Sequence, residues 1–416
     1  MRLIFVDFRQ INNRGNPMNK KLLSLAVAAA ITAPAAALAD ATLYGKAHVS
    51  IDWFDIKGED EYKGWAVNRG KIGKGNPRAN RLGVKGSEDL GTGLKAIYQV
   101  EFGIPLANER DYDINNGEQS GLTMRNTYVG LKGDFGTFLV GRHDTPLKIS
   151  TSKLEMFNDT MADYEGTVGF DDIRADNTIA YVTPSFGGFQ FAAATIPGAA
   201  STFAAATIPG AASTRDGFKN RKADSLAEGY SLAATYGNGP WYFGAAYEVL
   251  TDQLSTAKAA ANAARDVLAD PDSTAGYIEL AKAIIQNPNF TSTSDYKKWR
   301  VGLGIRDLNG FYLSAIYENQ KSIDFVEKIG DKDNDADLWQ GQIGYAFGNN
   351  MIKGMYGKKI RDINEVGDVK SWAVGFDHNF SKRTKAYALY TKVDADTKGT
   401  DEGDWKGFSL GMIHNF

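Results

Sequence analysis

Two short stretches of this 416-residue chain carry residue types that could do chemistry. "DKDNDAD", 331–337, spaces carboxylates like the opening of a calcium loop. Asp331, Asp333 and Asp335 fit the first three ligand positions, where alternate residues turn oxygens toward one hard cation. The rest of the pattern fails: Ala336 stands where the turn needs glycine, and Gln342 where a bidentate glutamate should close the shell. The stretch is a weak calcium candidate, and a solvated acidic loop is the simpler reading. "GFSLG", 407–411, has the G-x-S-x-G spacing of a hydrolase nucleophile. That motif needs a strand, a sharp turn and a following helix, and only five residues follow it here. His414 falls on the opposite face of an extended strand from Ser409. The other histidines are His48, His143 and His378, and the sequence places none of them beside an inward serine and an acid. With no cysteine there is no thiolate nucleophile, thiolate metal site or disulfide. No catalytic residue is assigned, and no cofactor is expected.

The elements around these stretches are strands. In 41–54, "ATLYGKAHVSIDWF", Leu43, Gly45, Ala47, Val49, Ile51 and Trp53 share one face, with Tyr44, Lys46, His48, Ser50 and Asp52 on the other. This period of two outlasts the usual globular strand of about 5–6 residues. It suits the tilted wall of a membrane barrel, with one face to lipid and one to water. The pattern recurs in "YKKWRVGLGIRD", "LWQGQIGYAF" and "SWAVGFDHNF", with aromatics near strand ends. Short connections at 88–93, 133–136, 185–188, 237–240, 307–310, 348–350 and 381–383 alternate with long polar ones. The long ones lie near 55–79, 105–121, 144–176, 198–226, 251–295, 322–335, 361–368 and 396–404. This alternation predicts an all-β fold, a 16-stranded antiparallel transmembrane β-barrel wide enough for an aqueous channel. A soluble β-sandwich, the competing class, would use shorter strands around a dry interior.

Residues 18–39 read as a signal peptide. Lys20 and Lys21 precede an apolar run, and "ALA" supplies small residues before Asp40. Residues 1–17 do not resemble a signal's basic region and read as an over-extended N-terminus, leaving 40–416 as the barrel. Removing 1–39 takes away five basic residues and one acid, leaving 42 against 49 and a net charge of −7. That balance argues against nucleic acid as a partner.

"TLYGKAHVSID", "NRLGVKGSEDLGTGLKAIYQVE", "RNTYVGLKGDFGTFLVGRHDTP" and the terminal "HNF" resemble the trimeric general-diffusion porins of Gram-negative outer membranes. The likeness runs through essentially all of 40–416. It implies a homotrimer of barrels in the outer membrane, each narrowed by an inward-folded third loop. Small hydrophilic solutes and ions would pass passively, and Phe416 would be the signal read by the barrel-assembly machinery. The family's "PEFGGDT"-like loop motif is "LEMFNDT" here, 154–160, without the leading proline and the paired glycines. On this resemblance Glu155, Asp159 and Asp163 form the acidic side of a constriction, and Lys46, Arg81, Arg142 and Arg174 the basic side. Such a charge pair across a narrow mouth sets up a transverse field that favours small dipolar solutes. Parity supports Lys46 and Arg81. It puts Arg142 on the face of Phe138 and Val140, where contact with outer-membrane lipid or lipopolysaccharide is the rival reading. Net −7 leans toward cations, though much of it lies in loops. A solute-specific channel and an outer-membrane enzyme barrel are the alternative functions.

Two features fit neither motif nor wall. The phrase at 191–202, "FAAATIPGAAST", is repeated without change at 203–214. The first copy follows the turn at 185–188 and should be a strand. The second then extends the fourth long loop, and its even length preserves in/out parity downstream. The Ala-rich stretch 255–286 has helical spacing broken at Asp270-Pro271. It predicts short helices in the fifth loop, either packed on the loop surface or capping the mouth.

Overall fold

A computed structural model describes residues 41–416, apart from 58–61, 69–78, 105, 108–110, 113–118, 121, 199–224, most of 256–292, 330, 364–366 and 396–402. The expected leader, the second copy of the duplicated phrase and nearly all of 255–286 lie outside the described residues. Of the last stretch, Ala264 and Ala281 are helical and pack together with Ile285.

The wall is one closed antiparallel sheet of sixteen strands. β1 is Thr42–Ile56. β2 comes in two pieces, Tyr62–Val67 and Arg81–Gly91. β3 (Leu94–Gly103), β4 (Thr127–Gly133), β5 (Gly136–Asp144) and β6 (Arg174–Val182) follow. Next are β7 (Phe189–Ile196), β8 (Gly229–Asn238), β9 (Trp241–Leu250), β10 (Tyr296–Leu308) and β11 (Phe311–Lys321). β12 (Ala336–Phe347), β13 (Asn350–Arg361), β14 (Val369–Asn379), β15 (Thr384–Ala395) and β16 (Trp405–Asn415) complete the wall. β1 pairs with β16 from Lys46↔Asn415 to Ile56↔Trp405, which closes the cylinder and leaves no first or last edge. The first copy of the duplicated phrase does supply β7, paired with β6 as Ile179↔Thr195 through Val182↔Ala192.

Alternation sorts the two faces. On β1, Leu43, Val49 and Ile51 are exposed, while Lys46, His48, Ser50 and Asp52 are buried. The exposed set continues round the barrel as Val129, Leu232, Leu303, Ile343, Trp372 and Leu410. This is a protein turned apolar side out, as hydrocarbon surroundings require. No helix among the described residues is long and apolar enough to cross a membrane.

One ladder is interrupted. The upper piece of β2 pairs with β1 down to Ile51↔Val67, and the lower piece begins at Lys46↔Arg81. Between them two asparagine side chains replace missing backbone partners. Asn80 Oδ1 accepts from the His48 N–H at 2.5 Å, and Asn68 Oδ1 from the Ser50 N–H at 2.6 Å. Buried backbone donors must find acceptors, and here side-chain amides serve.

Candidate functional site

The connection between β5 and β6 turns into the barrel. It opens with helix α1 (Pro146–Thr151), whose N-cap Thr145 accepts from the Lys148 N–H and whose proline occupies the first turn. It ends with α2 (Tyr164–Thr167), capped by Asp163. The segment lies along the lumen side of the wall from β8 round to β16 and β1. Leu154, Tyr164, Val168 and Phe170 pack on Tyr242, Ile316 and Leu338. Phe157, Met161 and Ala162 pack on Phe54, Ala373, Leu389 and Trp405. Close approach needs bare backbone on the wall: a Cβ on Gly244 would lie 2.2 Å from the Ser150 carbonyl oxygen.

Polar ties fix the loop in register. Ser314 Oγ donates to the Leu154 carbonyl at 2.9 Å, and Lys353 Nζ to the Met156 carbonyl at 2.7 Å. Gln342 accepts from the Met156 N–H and donates to Glu155. Arg300, fully buried, donates from Nε to Glu318 at 2.6 Å and from Nη1 to Asp172 at 2.7 Å. Lys298 bridges Glu248 on the wall and Asp171 on the loop, each at 3.0 Å.

The seven residues named from the sequence do not form one cluster. Lys46 and Asp159 meet across the loop–wall boundary at 2.7 Å. Burial alone would raise the Asp159 pKa, but Lys46, aided by Arg81 and Arg125, holds it well below the usual carboxylate range. Arg81 projects from β2 with its Nε 3.9 Å from Glu101. Glu101 also accepts from Arg125 Nε at 2.7 Å and Tyr44 OH at 2.9 Å. Arg174 is held by Asp144 at 3.0 Å and by Asn126 Oδ1 at 2.8 Å, with Lys148 on the same carboxylate at 3.4 Å. Glu155 is tucked into the loop, where Oε1 accepts from the Phe157 N–H at 2.9 Å. Burial first, and then Asp163, push its pKa up to about 8 against the pull of Lys353.

Two expectations need correction. Asp163 is not a lumen-facing acid: it is buried, accepting from the N–H groups of Asp159 and Glu165, and so shapes the loop from within. Arg142 is not on the lumen face. Alternation turns it outward with the exposed Phe138 and Val140, where it pairs with Asp176 of β6 and donates to the Met124 carbonyl. Arg125 was missed. It precedes β4 in an irregular stretch with no alternation to assign its face.

A further correction concerns histidine. Ser409, His48 and Asp52 do converge on the lumen side of β16 and β1. Ser409 Oγ donates to Asp52 at 2.6 Å, whereas His48 Nε2 meets the Tyr387 hydroxyl at 2.8 Å. All three are 0% exposed, so no substrate reaches them. A base that contacts tyrosine rather than the serine lacks the geometry of an activated nucleophile. The weak calcium candidate also disperses. Asp333 lies 3.6 Å from Lys328, Asp335 accepts from the Ser322 N–H, and no group of three metal-ligating side chains occurs among the described residues.

Comparisons with known proteins agree with this architecture. The family model for Gram-negative porins matches residues 24–398. The chain is 35% identical over 175 residues to the major outer membrane protein P.IB of Neisseria meningitidis, covering 42% of this chain and 48% of that protein. It is 33% identical over 188 residues to outer membrane porin protein 32 of Delftia acidovorans, again about half of that relative's length. A longer match, 23% identical over 384 residues, covers 89% of the chain and 92% of a P.IB protein from Neisseria gonorrhoeae. Among solved structures, the anion-selective porin from Comamonas acidovorans shares the fold with a TM-score of 0.60, 20% identity and coverage of 90% and 99%. With a family match over most of its length and a closed barrel to go with it, the chain belongs to the Gram-negative porin family, proteins of the outer membrane.

Proposed function

We propose that the chain is the subunit of a homotrimeric, water-filled channel for passive diffusion of ions and small hydrophilic solutes. The observation that carries this is the β5–β6 loop, seated inside a closed barrel and tied to the wall by the Lys46–Asp159 pair. Between that loop and the arc β1–β6 the path narrows among fixed charges, and no step of chemistry is required. Lys46, Arg81, Arg125, Lys148 and Arg174 outnumber Glu101, Asp144 and Asp159 there, while Glu155 spends much of its time protonated near neutrality. This local excess supports a preference for anions despite the net charge of −7 on 40–416, because field strength at the narrowest point outweighs distant loop charge.

The test is conductance of the refolded mature protein in a planar bilayer under a salt gradient. Large ohmic steps closing in threes, with an anion-signed reversal potential, are the expected result. A saturating current with one solute would favour the solute-specific reading, and a folded barrel without steps would overturn the channel. In this reading residues 18–39 are removed on export and Phe416 marks the chain for barrel assembly. N-terminal sequencing of the exported protein should begin at Asp40, and a mature chain that retains 18–39 would refute the cleavage. The Phe416 backbone already pairs with Gly45 at 3.0 Å and 3.1 Å, so deleting it should lower barrel yield in cells far more than in detergent refolding. Equal losses in both settings would count against an assembly role.

A further inference from the structure

Methionine is unevenly placed in this chain. Met1 and Met18 precede the barrel, and Met124 and Met412 are exposed, Met412 on the outward face with Leu410. The other four gather where the β5–β6 loop meets the wall. Met161 is fully buried and Met355 is 6% exposed, both in the cluster around Phe157 and Ala373, and Met156 is partly buried against them. Met351 and Met156 both reach Gly344 of β12, where a Cβ would lie 3.0 Å from the Met156 sulfur. Flexible thioethers fill irregular gaps of this kind. They also take up an oxygen from a peroxide, which turns an apolar side chain into a polar one.

Met156 is the residue of the loop where such a change would tell. Its N–H donates to Gln342 Oε1 at 2.8 Å, and its carbonyl accepts from Lys353 Nζ at 2.7 Å. Three residues on, Asp159 meets Lys46 across the lumen boundary. A sulfoxide oxygen on Met156 would face two obstacles. The first is space, since the sulfur already occupies room that only a bare backbone at Gly344 leaves open. The second is a shortage of donors. Lys353 Nζ also serves Asp377 at 2.9 Å and lies 4.7 Å from the centre of the Phe157 ring. Gln342 Nε2 is shared among the Leu154 carbonyl, Glu155 and Gln340, and Gln340 Nε2 points at the Met355 sulfur. The new oxygen must take a donor from a bond that holds the loop, or go without.

We infer that Met156 is a modification site: a small peroxide oxidises its thioether to the sulfoxide and thereby unseats the β5–β6 loop. With hydrogen peroxide the sulfur lone pair attacks one oxygen, the O–O bond breaks and an S–O bond forms. Sulfur gives up two electrons, and the departing hydroxide takes the proton from the transferred oxygen and leaves as water. Hydrogen peroxide is small and uncharged, so exposure sets the order of attack. Partly buried Met156 reacts before the enclosed Met161 and Met355. Reduction of the sulfoxide by a methionine sulfoxide reductase restores the seat.

The experiment treats the refolded protein with hydrogen peroxide and reads three things: peptide mass mapping for the site, amide hydrogen exchange of 154–160 for the loop, and single-channel current. Only the third depends on the channel reading, so its failure is distinguishable from failure of the inference. Burying a polar group without a partner should shift the balance from seated to released loop by about 5- to 150-fold. Exchange at 154–160 and the time spent in noisy current states should rise accordingly. Met156→Leu, close to the original in volume, should abolish the response, and the double variant M124L/M412L should keep it. A sulfoxide reductase should reverse the response in the unmutated protein, which needs no variant to fold. Met156 left intact while Met124 and Met412 are oxidised, oxidation of Met156 with unchanged exchange, or a full response in Met156→Leu would each overturn the inference.

Discussion

Replacing Asp159 with asparagine removes one negative charge from the narrowest part of the lumen and keeps its shape. Its backbone N–H bond to Asp163 does not depend on the side chain. The partner Lys46 is left with Arg81 and Arg125 nearby and no counter-charge from the loop. For a permeant ion passing about 7 Å from the lost carboxylate, Coulomb's law in water gives about 0.6 kcal/mol per ion. Screening at 0.1 M salt roughly halves this, to about 0.3 kcal/mol. Anions gain and cations lose by that amount, so the anion-to-cation permeability ratio should rise about threefold. At 1 M salt, where the screening length is about 3 Å, the change should nearly vanish. The assay is reversal potential in a salt gradient, run at both ionic strengths, with single-channel conductance confirming that the loop stays in place. A shift toward cations, no shift at 0.1 M, or an equal shift at 1 M would refute the claim that this charge acts on the ion path.

Glu155 gives a pH test. Its pKa in the folded loop, about 8, lies above that of an unfolded chain. Its contribution is therefore complete at acid pH and is lost as pH rises through about 8. Closures and current noise should increase between pH 7 and pH 9, and Glu155→Gln should flatten that dependence. Arg300→Met strands Glu318 and Asp172 in a buried site, at a cost of about 3–5 kcal/mol. Its denaturation midpoint should fall and its conductance rise, and adding Glu318→Gln with Asp172→Asn should restore much of the midpoint. Gly244→Ala forces α1 off the wall and should cost about 1–3 kcal/mol, whereas Gly341→Ala, with nothing within 4 Å, should be neutral in the same thermal assay.

The wall was legible in the sequence because a sheet with lipid on one side and water on the other imposes a period of two on every strand. The turns at 133–136 and 307–310 punctuate that period with glycine, so their places were readable too. The lumen charges were harder. Arg142 could be read correctly from parity, and the resemblance pulled it the other way. Asp163 carried a local signal, since an aspartate two residues before Glu165 at a helix start is a capping pattern, yet it reads equally well as an exposed acid. The meeting of His48 with Tyr387, and of Asp52 with Ser409, joins the two ends of the chain. Nothing local encodes it: it follows only from closure of β1 on β16, a long-range fact that a linear pattern does not contain.

The two asparagines in the wall have a consequence for engineering. Because Asn68 and Asn80 complete the ladder of β1 themselves, the His48 and Ser50 N–H groups take their acceptors from the two asparagines that flank residues 69–79. Insertions are best tolerated at exposed loop tips. This chain offers a further insertion point between Asn68 and Asn80, two amides that pair with β1, where a peptide tag or a recognition module could be grafted. A chain with 69–78 replaced and both asparagines kept should still run as a folded barrel on unheated gels, and the same graft with both changed to alanine should not.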